Sequence, residues 1–376
     1  MNIRIGLIYF ILLLIYIFIL PITLYQNYLG NFPYIYSNLY NGMSIVAIFI
    51  VIISKDKINF VDMTSLSIFI LMFIVIMVDY FYYGKSYDVF YDNSTVLARA
   101  FTLYIIGRGI RFGQKYYYLV LISFIFFVIN IFLYLEGSLR IFLDFEGSGV
   151  YLFLGDTFAM LSLLLLTNNY KKYKNLNLII FILSIFVLFV IGSRAALFVY
   201  IAVSFLYFYK SFNFMKLASI FLIIFSTVIV FTEYNNIVIE NNRMFSVISG
   251  NLKNDNSQIS RVVQNEFGIN DISNNIFLGS YANQYYSLNS MGSYMHNILS
   301  YYRQFGLFVF LLIIFLLLFV SKRYFEYFIL NHTKIEAYIP YLSLFIVLEC
   351  IFFRSYNAAH FWLAIGLLSN YTKGIK

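Results

Sequence analysis

Three residues of the kinds that act on phosphate and hydroxyl groups stand out in this sequence. Arg194 follows a Gly-Ser pair at a tight turn, Arg261 lies in a long polar loop, and His296 lies where that loop ends. A guanidinium group donates paired hydrogen bonds to phosphate oxygens, and a neutral imidazole accepts a proton from a hydroxyl group. Two arginines can therefore hold a diphosphate leaving group while the histidine activates a sugar hydroxyl. We expect no metal and no cofactor, since the arginines supply the positive charge.

Each of these residues also has a plainer interpretation, which the sequence leaves open. Arg194 can contact lipid headgroups or extend its side chain toward the membrane surface. Arg261 can be a solvated loop cation, and His296 can be an interfacial histidine among headgroups. If a helix begins at His296, then Ser300 and Arg303 follow on the same face at i+4 and i+7, which makes Arg303 a candidate substrate-binding residue.

The composition indicates a chain that lies in a membrane. Of its 376 residues, 62% are hydrophobic and 11% are charged, whereas soluble domains carry about a quarter charged residues. Continuous apolar runs of about 20 residues predict an all-α fold, a polytopic transmembrane helical bundle, and exclude a β-barrel. We predict about twelve spans, near residues 6–24, 36–54, 64–83, 93–110, 116–135, 149–167, 176–192, 194–210, 214–232, 297–320, 336–353 and 356–372.

The distribution of basic residues predicts the orientation. With the N-terminus in the cytoplasm, nearly every cluster of lysine and arginine falls on the cytoplasmic side. Both termini are then cytoplasmic, and one large extracytoplasmic loop, residues 233–296, lies between spans 9 and 10. Residues 259–267 of that loop predict a short amphipathic helix. The whole chain, residues 1–376, is predicted to be a single integral membrane domain.

The same distribution excludes some kinds of partner. The net charge of +8 does not indicate nucleic-acid binding, because the basic residues follow the topology of an inserted protein. The lone Cys350 excludes an internal disulfide and a cysteine metal cluster. The histidines lack metal-ligand spacing, so we expect no metal site.

Ionisable residues inside spans are costly and are usually paired or functional. Those predicted here lie toward the outer ends of their spans and suggest a cavity that opens outward: Asp79, Arg99, Asp156, Glu349 and His360. Arg99, Asp156 and Arg354, which lies in an outer turn, are therefore candidate substrate-binding residues. The alternative is structural, with Arg99 pairing with Asp79 or Asp156 to hold the bundle together.

Three short motifs carry a resemblance to a known family. They are the Gly-Ser-Arg turn within residues 191–195, the Ser-Arg pair at 260–261 with the small-residue turn at 276–280, and His-Asn-Ile-Leu at 296–299 with Gln-Phe-Gly-Leu at 304–307. In order and spacing they resemble the bacterial O-antigen polymerase (Wzy) and O-antigen ligase superfamily of integral membrane glycosyltransferases. Two positions depart from that pattern: no proline precedes Gly279, and Gln304 stands where glutamate is frequent.

The resemblance implies a polysaccharide repeat-unit polymerase, for O-antigen or capsule, in the bacterial cytoplasmic membrane. The substrate would be an oligosaccharide linked to undecaprenyl diphosphate, with Arg194 and Arg261 on the diphosphate and His296 assisting the acceptor hydroxyl. Expected partners are membrane lipid and a chain-length regulator protein. The alternatives are a ligase of the same fold, which transfers the glycan to another acceptor, and a flippase for lipid-linked oligosaccharide.

Overall fold

The structure is a computed structural model. It describes residues 7–17, 42–47, 49, 58–82, 86–110, 116–133, 150–168, 174–211, 256–288, 295–329 and 336–370. The described residues form helices and turns and include no strand, which confirms the predicted all-helical class.

The helices are named here in chain order, and residues 42–47 are helical as well. They are α1 (Leu7–Ile17), α2 (Phe60–Phe81), α3 (Tyr87–Gly109), α4 (Tyr117–Leu133), α5 (Val150–Asn168), α6 (Lys174–Ile191), α7 (Arg194–Ser211), α8 (Asn256–Asn274), α9 (Asn283–Leu288), α10 (Leu299–Phe328), α11 (Tyr338–Phe352) and α12 (His360–Asn370).

Two of these helices are long and apolar enough to cross a membrane, namely α2 with 22 residues and α10 with 30. Shorter apolar helical stretches lie within α1, α4, α5, α6, α7, α11 and α12. The predicted count of about twelve spans stays a prediction. The span near 214–232 lies outside the described residues, and so does most of the span near 36–54.

The start of α2 belongs to a polar network at one end of the bundle. Asn59 and Asp62 form a reciprocal capping box, which satisfies two backbone N–H groups at the helix start. The same Asp62 carboxylate accepts from the hydroxyl of Tyr104 at 2.5 Å and pairs with Arg108 at 2.8 Å. Asn59 also donates to the carbonyl of Ser369 at 3.1 Å. This end therefore ties α2, α3 and α12 together.

Helices α3 and α12 form the most extensive helix–helix contact in the described chain. Glycines bring the two backbones together. A Cβ atom on Gly107 would lie 2.3 Å from the carbonyl oxygen of Leu363, and one on Gly366 would lie 2.2 Å from that of Tyr104. Small residues at such crossings allow close van der Waals packing, which is the main source of helix association inside a membrane.

Hydroxyl groups join the helices in a second region of the bundle. Ser162 of α5 lies 2.6 Å from Ser184 of α6 and 2.8 Å from the hydroxyl of Tyr200 of α7, oxygen to oxygen. All three groups are buried. Hydrogen bonds of this kind between helices replace the water that these groups would otherwise need.

We expect Gly366→Ala to lower the thermal unfolding midpoint of the purified protein in detergent micelles. The added methyl group would meet the carbonyl of Tyr104, and such overpacking costs roughly 1–3 kcal/mol. Gly42→Ala is the matched control, because a Cβ atom there meets nothing within 4 Å. Equal midpoints for the two variants would show that α3 and α12 do not pack as closely as described.

Candidate functional site

The loop that precedes α10 meets this helix backbone to backbone at two glycines. Gly306 interrupts α10 with a φ of +76°, and Gly279 in the loop has a φ of +74°. A Cβ atom on Gly306 would lie 2.3 Å from the carbonyl oxygen of Phe277, and one on Gly279 would lie 2.5 Å from the nitrogen of Gly306. Glycine suits both positions, because it takes positive φ readily and leaves room for the close approach.

The interruption replaces one backbone hydrogen bond of the helix with two hydrogen bonds to the loop. In a continuous helix, the N–H of Leu307 would donate to the carbonyl of Arg303. Here Leu307 N donates to the carbonyl of Phe277 at 3.2 Å, and the carbonyl of Arg303 accepts from Ser280 N at 2.6 Å. The loop therefore satisfies both groups that the interruption releases. We call this arrangement, centred on Gly279 and Gly306, the glycine junction.

Gln304 strengthens the glycine junction with its side-chain amide. Its Oε1 accepts from the backbone N–H of Ala282 at 2.8 Å, and its Nε2 donates to Oε1 of Gln284 at 2.7 Å. Ala282 has a positive φ of 54°, which is uncommon for a residue other than glycine. The Gln304 amide thus accepts one hydrogen bond and donates another. It does so at the position where the family that this sequence resembles often has glutamate.

Arg303 fixes α8 against α10. Its side chain is fully buried, and its Nε donates to Asp271 at 2.8 Å. The guanidinium carbon lies 5.0 Å from the centre of the Phe267 ring, which is within the range of a cation–π contact. Neither terminal nitrogen of Arg303 has a hydrogen-bond partner among the described residues. This geometry gives Arg303 a structural role, and its predicted role in substrate binding stays a prediction.

Three of the predicted site residues interact electrostatically, because the charges of Arg261 and Arg354 both act on His296. His296 is partly buried in the segment before α10. Burial lowers its pKa, and the nearby charges of Arg261 and Arg354 lower it further, to about 4. These three residues come from α8, from the segment before α10 and from the turn between α11 and α12. At neutral pH, the imidazole is therefore neutral and can accept a proton.

Behind this trio lies a buried cluster of acidic and basic groups. Arg354 binds both carboxylate oxygens of Asp156, through Nε at 2.8 Å and Nη2 at 2.5 Å. The same Nη2 lies 3.1 Å from Glu349, and Nε2 of His360 lies 3.6 Å from Asp156. Arg261 also acts electrostatically on Glu349. Asp156 thus pairs with Arg354, a partner that the structural alternative, with Arg99 on Asp79 or Asp156, did not include.

The turn between α11 and α12 contacts α3 and α10, and the segment before α10 contacts α11. Tyr356 N–H donates to the hydroxyl of Ser300 at 2.7 Å, and the Tyr356 hydroxyl donates to Asn93 of α3 at 2.6 Å. Ile298 N–H donates to the carbonyl of Ile351 in α11 at 3.3 Å. The helix α10 begins at Leu299 and not at His296, so Ser300 and His296 do not share a helix face. Ser300 instead supports this turn.

The Gly-Ser-Arg turn lies beside the helix that carries Asp156. Gly192 ends α6 with a φ of +75°, and a Cβ atom on Gly155 of α5 would lie 2.4 Å from Cβ of Ser193. Asp156 follows Gly155 directly, and Arg194 begins α7. The turn therefore belongs to the same end of the bundle as the charged cluster. The predicted role of Arg194 in binding a diphosphate stays a prediction.

Arg99 lies in α3, on the same helix as the Asn93 that binds Tyr356. Its Nε donates to the carbonyl of Thr95 at 3.3 Å, and its charge acts on Asp92. Asp79, the other acid considered for Arg99, interacts with the hydroxyl of Tyr286 in α9. The predicted role of Arg99 in substrate binding stays a prediction.

One residue that builds the site was not among the predicted ones, and the contacts of another were not foreseen. Asp271, the partner of Arg303, lies in a polar loop. Acidic residues are common in such loops, so the sequence did not distinguish Asp271 as a residue of the site. Glu349 was noted as an acid within a span, but its approach to Arg354 and Arg261 was not foreseen. The available signal was its placement five residues before Arg354, which is near enough for both to meet where α11 ends.

No protein-family model, curated protein or solved structure matches this chain. The resemblance to the O-antigen polymerase and ligase superfamily therefore stays a prediction that rests on the three motifs. Among the described residues, no group of three or more His, Cys, Asp or Glu side chains is placed to hold a metal ion.

We expect Gly279→Ala to loosen the loop far more than Gly192→Ala. Both substitutions place alanine at a positive φ, which costs roughly 1–2 kcal/mol. Only the methyl group at residue 279 would also meet backbone, with the nitrogen of Gly306 at 2.5 Å, whereas nothing lies within 4 Å at residue 192. Limited proteolysis of residues 256–288 measures the difference. Equal cleavage in the two variants would contradict the glycine junction.

We also expect His296 to make the protein sensitive to acid. Its pKa is about 4 in the folded state, below the ordinary value of 6.5, so between these values the unfolded state binds more protons. The free energy of unfolding should therefore fall as the pH falls from about 6.5 to about 4. Chemical denaturation of the wild type and of His296→Gln across this range tests the effect. Parallel pH profiles would contradict the environment described for His296.

Proposed function

We propose that the protein is a membrane glycosyltransferase that polymerises polysaccharide repeat units, for O-antigen or capsule. It would transfer the growing glycan from undecaprenyl diphosphate to the next lipid-linked repeat unit. The observation that carries this proposal is the meeting of His296, Arg261 and Arg354 at one end of a helical bundle. A neutral base within the electrostatic influence of two guanidinium groups suits a substrate that combines a sugar hydroxyl with a diphosphate.

The proposed reaction is a substitution at the anomeric carbon of the growing glycan. The acceptor hydroxyl oxygen forms the new glycosidic bond, and the bond from that carbon to the diphosphate oxygen breaks. Undecaprenyl diphosphate leaves with the electron pair, and His296 takes the proton of the hydroxyl. Arg261 and Arg194 stabilise the negative charge that develops on the diphosphate. The two arginines thus provide the positive charge that stabilises the leaving diphosphate.

Substrate would make His296 a stronger base. The charges of Arg261 and Arg354 contribute to its low pKa. A bound diphosphate brings negative charge toward these guanidinium groups and raises the pKa of the imidazole. The histidine would then accept a proton most readily when a donor glycan is in place. Proton transfer would be coupled to donor binding in this way.

Asp156 and Glu349 would position the arginines. Asp156 holds Arg354 through two hydrogen bonds, and Glu349 lies 3.1 Å from the same guanidinium group. Fixed guanidinium groups bind phosphate with less loss of side-chain entropy than mobile ones. In this proposal, Arg354 and Asp156 act as positioning residues.

The proposed setting is the bacterial cytoplasmic membrane, with both termini in the cytoplasm and the site at the outer face. The two helices that are long and apolar enough to cross a membrane support this setting, and the positive-inside distribution supports the orientation. The proposed partners are lipid-linked oligosaccharide, membrane lipid and a chain-length regulator protein.

Two alternatives differ in what they do with the glycan. A ligase of the same fold would use the same residues and pass the glycan to another acceptor. A flippase would need charged groups along a path through the membrane. The charged cluster at one end of the bundle favours chemistry at a surface over transport.

We expect His296→Ala and Arg261→Ala to abolish polymer in a strain that lacks the native gene. Loss of a catalytic base or of a charge-stabilising donor lowers rates by about 100-fold or more. Electrophoresis of surface polysaccharide would then show single repeat units in place of a ladder. Arg323→Ala is the matched control, because Arg323 pairs with Glu326 within α10, away from the site.

Membrane levels of each variant must match the wild type for this comparison. A normal polysaccharide ladder from His296→Ala or Arg261→Ala would contradict the proposed mechanism. Long polymer left on the lipid carrier would identify a ligase, and single units retained on the cytoplasmic face would identify a flippase.

A further inference from the structure

The glycine junction lies inside the part of α10 that would cross the membrane. This step rests on the proposed membrane setting. Lys322 and Arg323 mark the cytoplasmic limit of the apolar stretch, and a hydrocarbon core spans about 20 helical residues. Counting back from Lys322 puts the outer limit near Tyr302. Gly306 then lies about 6 Å within the core, at 1.5 Å per residue.

At that depth, backbone groups without partners are costly, because no water replaces the missing hydrogen bonds. The loop supplies the partners through the carbonyl of Phe277 and the N–H of Ser280. The two bonds join atoms only 3.2 Å and 2.6 Å apart, which is less than the depth of Gly306. The loop residues around Gly279 must therefore lie within the membrane wherever Gly306 does.

The side chains beside this junction suit a lipid environment. Residues 276–278 are a run of three large apolar side chains, and the exposed fractions are 46% for Ile276, 64% for Phe277 and 81% for Leu278. In α10, just beyond the junction, Phe308 is 63% exposed and Leu311 is 53% exposed. The apolar surface of the loop is therefore continuous with that of a helix able to cross a membrane.

We propose that residues 276–278 insert among the acyl chains in the outer half of the bilayer and anchor the loop to the membrane. The occupant of this surface is lipid, because water would leave three adjacent large apolar residues solvated. Polar residues, Asn274 and Asn275, directly precede the segment. Asn274, the last residue of α8, would mark where the loop returns to the headgroups.

This anchor would fix the height of the site. Residues 276–278 come just after the end of α8. This helix carries Arg261, and it also carries Asp271, which binds Arg303. With the segment in the acyl chains, Arg261 and His296 would lie near the headgroups. That is the level at which the diphosphate of a membrane-bound substrate would be found.

Site-directed spin labelling tests the anchor directly. Cys350 is the only cysteine and is buried, so single cysteines can be introduced into the otherwise native full-length chain. The probe is Leu278→Cys with a nitroxide label, in vesicles of phosphatidylethanolamine and phosphatidylglycerol. Collision with oxygen reports lipid, and collision with a water-soluble nickel chelate reports water. Asn274→Cys and Leu318→Cys are the matched polar and membrane-spanning controls.

The expected result is a ratio of oxygen to nickel collisions at residue 278 that resembles that at residue 318. It should be several-fold higher than the ratio at residue 274. A nickel-accessible label at 278 would overturn the anchor by placing the segment in water. A label that neither reagent reaches would also overturn it, since protein would then cover the segment.

The controls separate this proposal from the proposed function. A nickel-accessible label at residue 318 would show that α10 does not cross the membrane. That result would also contradict the membrane location of the proposed function. A lipid-exposed label at 318 with a water-exposed label at 278 would remove the anchor alone. No step of the measurement depends on glycan synthesis.

Discussion

The organisation of the site depends on the interruption of α10 at Gly306. A continuous helix would use its own carbonyl and N–H groups and would offer the loop nothing to bind. The interruption releases the carbonyl of Arg303 and the N–H of Leu307, and the loop satisfies both. Two glycines at positive φ make this possible, since the backbones approach too closely for any Cβ atom. The position of α8, and therefore of Arg261, follows from this junction.

Buried charge determines the rest of the arrangement. Asp156 and Arg354 lie 198 positions apart in the sequence and form a bidentate pair, while Arg303 and Asp271 join α10 to α8. Such pairs add little net stability, because removing charges from water costs several kcal/mol for each ion. Breaking one is nevertheless strongly destabilising, because it leaves a buried charge alone. These pairs therefore favour one arrangement of helices over its alternatives, and the Arg354 of one pair acts electrostatically on His296.

The sequence predicted the helical class, because apolar runs are local patterns, and it named Arg261, His296 and Arg354 as candidates, of which both arginines act electrostatically on His296. It predicted a helix within the loop, although α8 extends well beyond residues 259–267. It did not predict the interruption of α10, since a glycine within an apolar run gives no sign that a distant loop will bind there. It also did not predict that Asp156 pairs with Arg354. Pairing across the bundle depends on helix packing, which periodicity does not encode.

Reconstitution tests the central claim, that this site transfers glycan from a lipid diphosphate, most directly. The purified protein would be placed in vesicles with lipid-diphosphate-linked repeat units and no other protein. The account predicts a ladder of lipid-linked oligomers, with one undecaprenyl diphosphate released for each glycosidic bond formed. Intact single units and no released lipid diphosphate, from protein that is folded and correctly oriented, would contradict it.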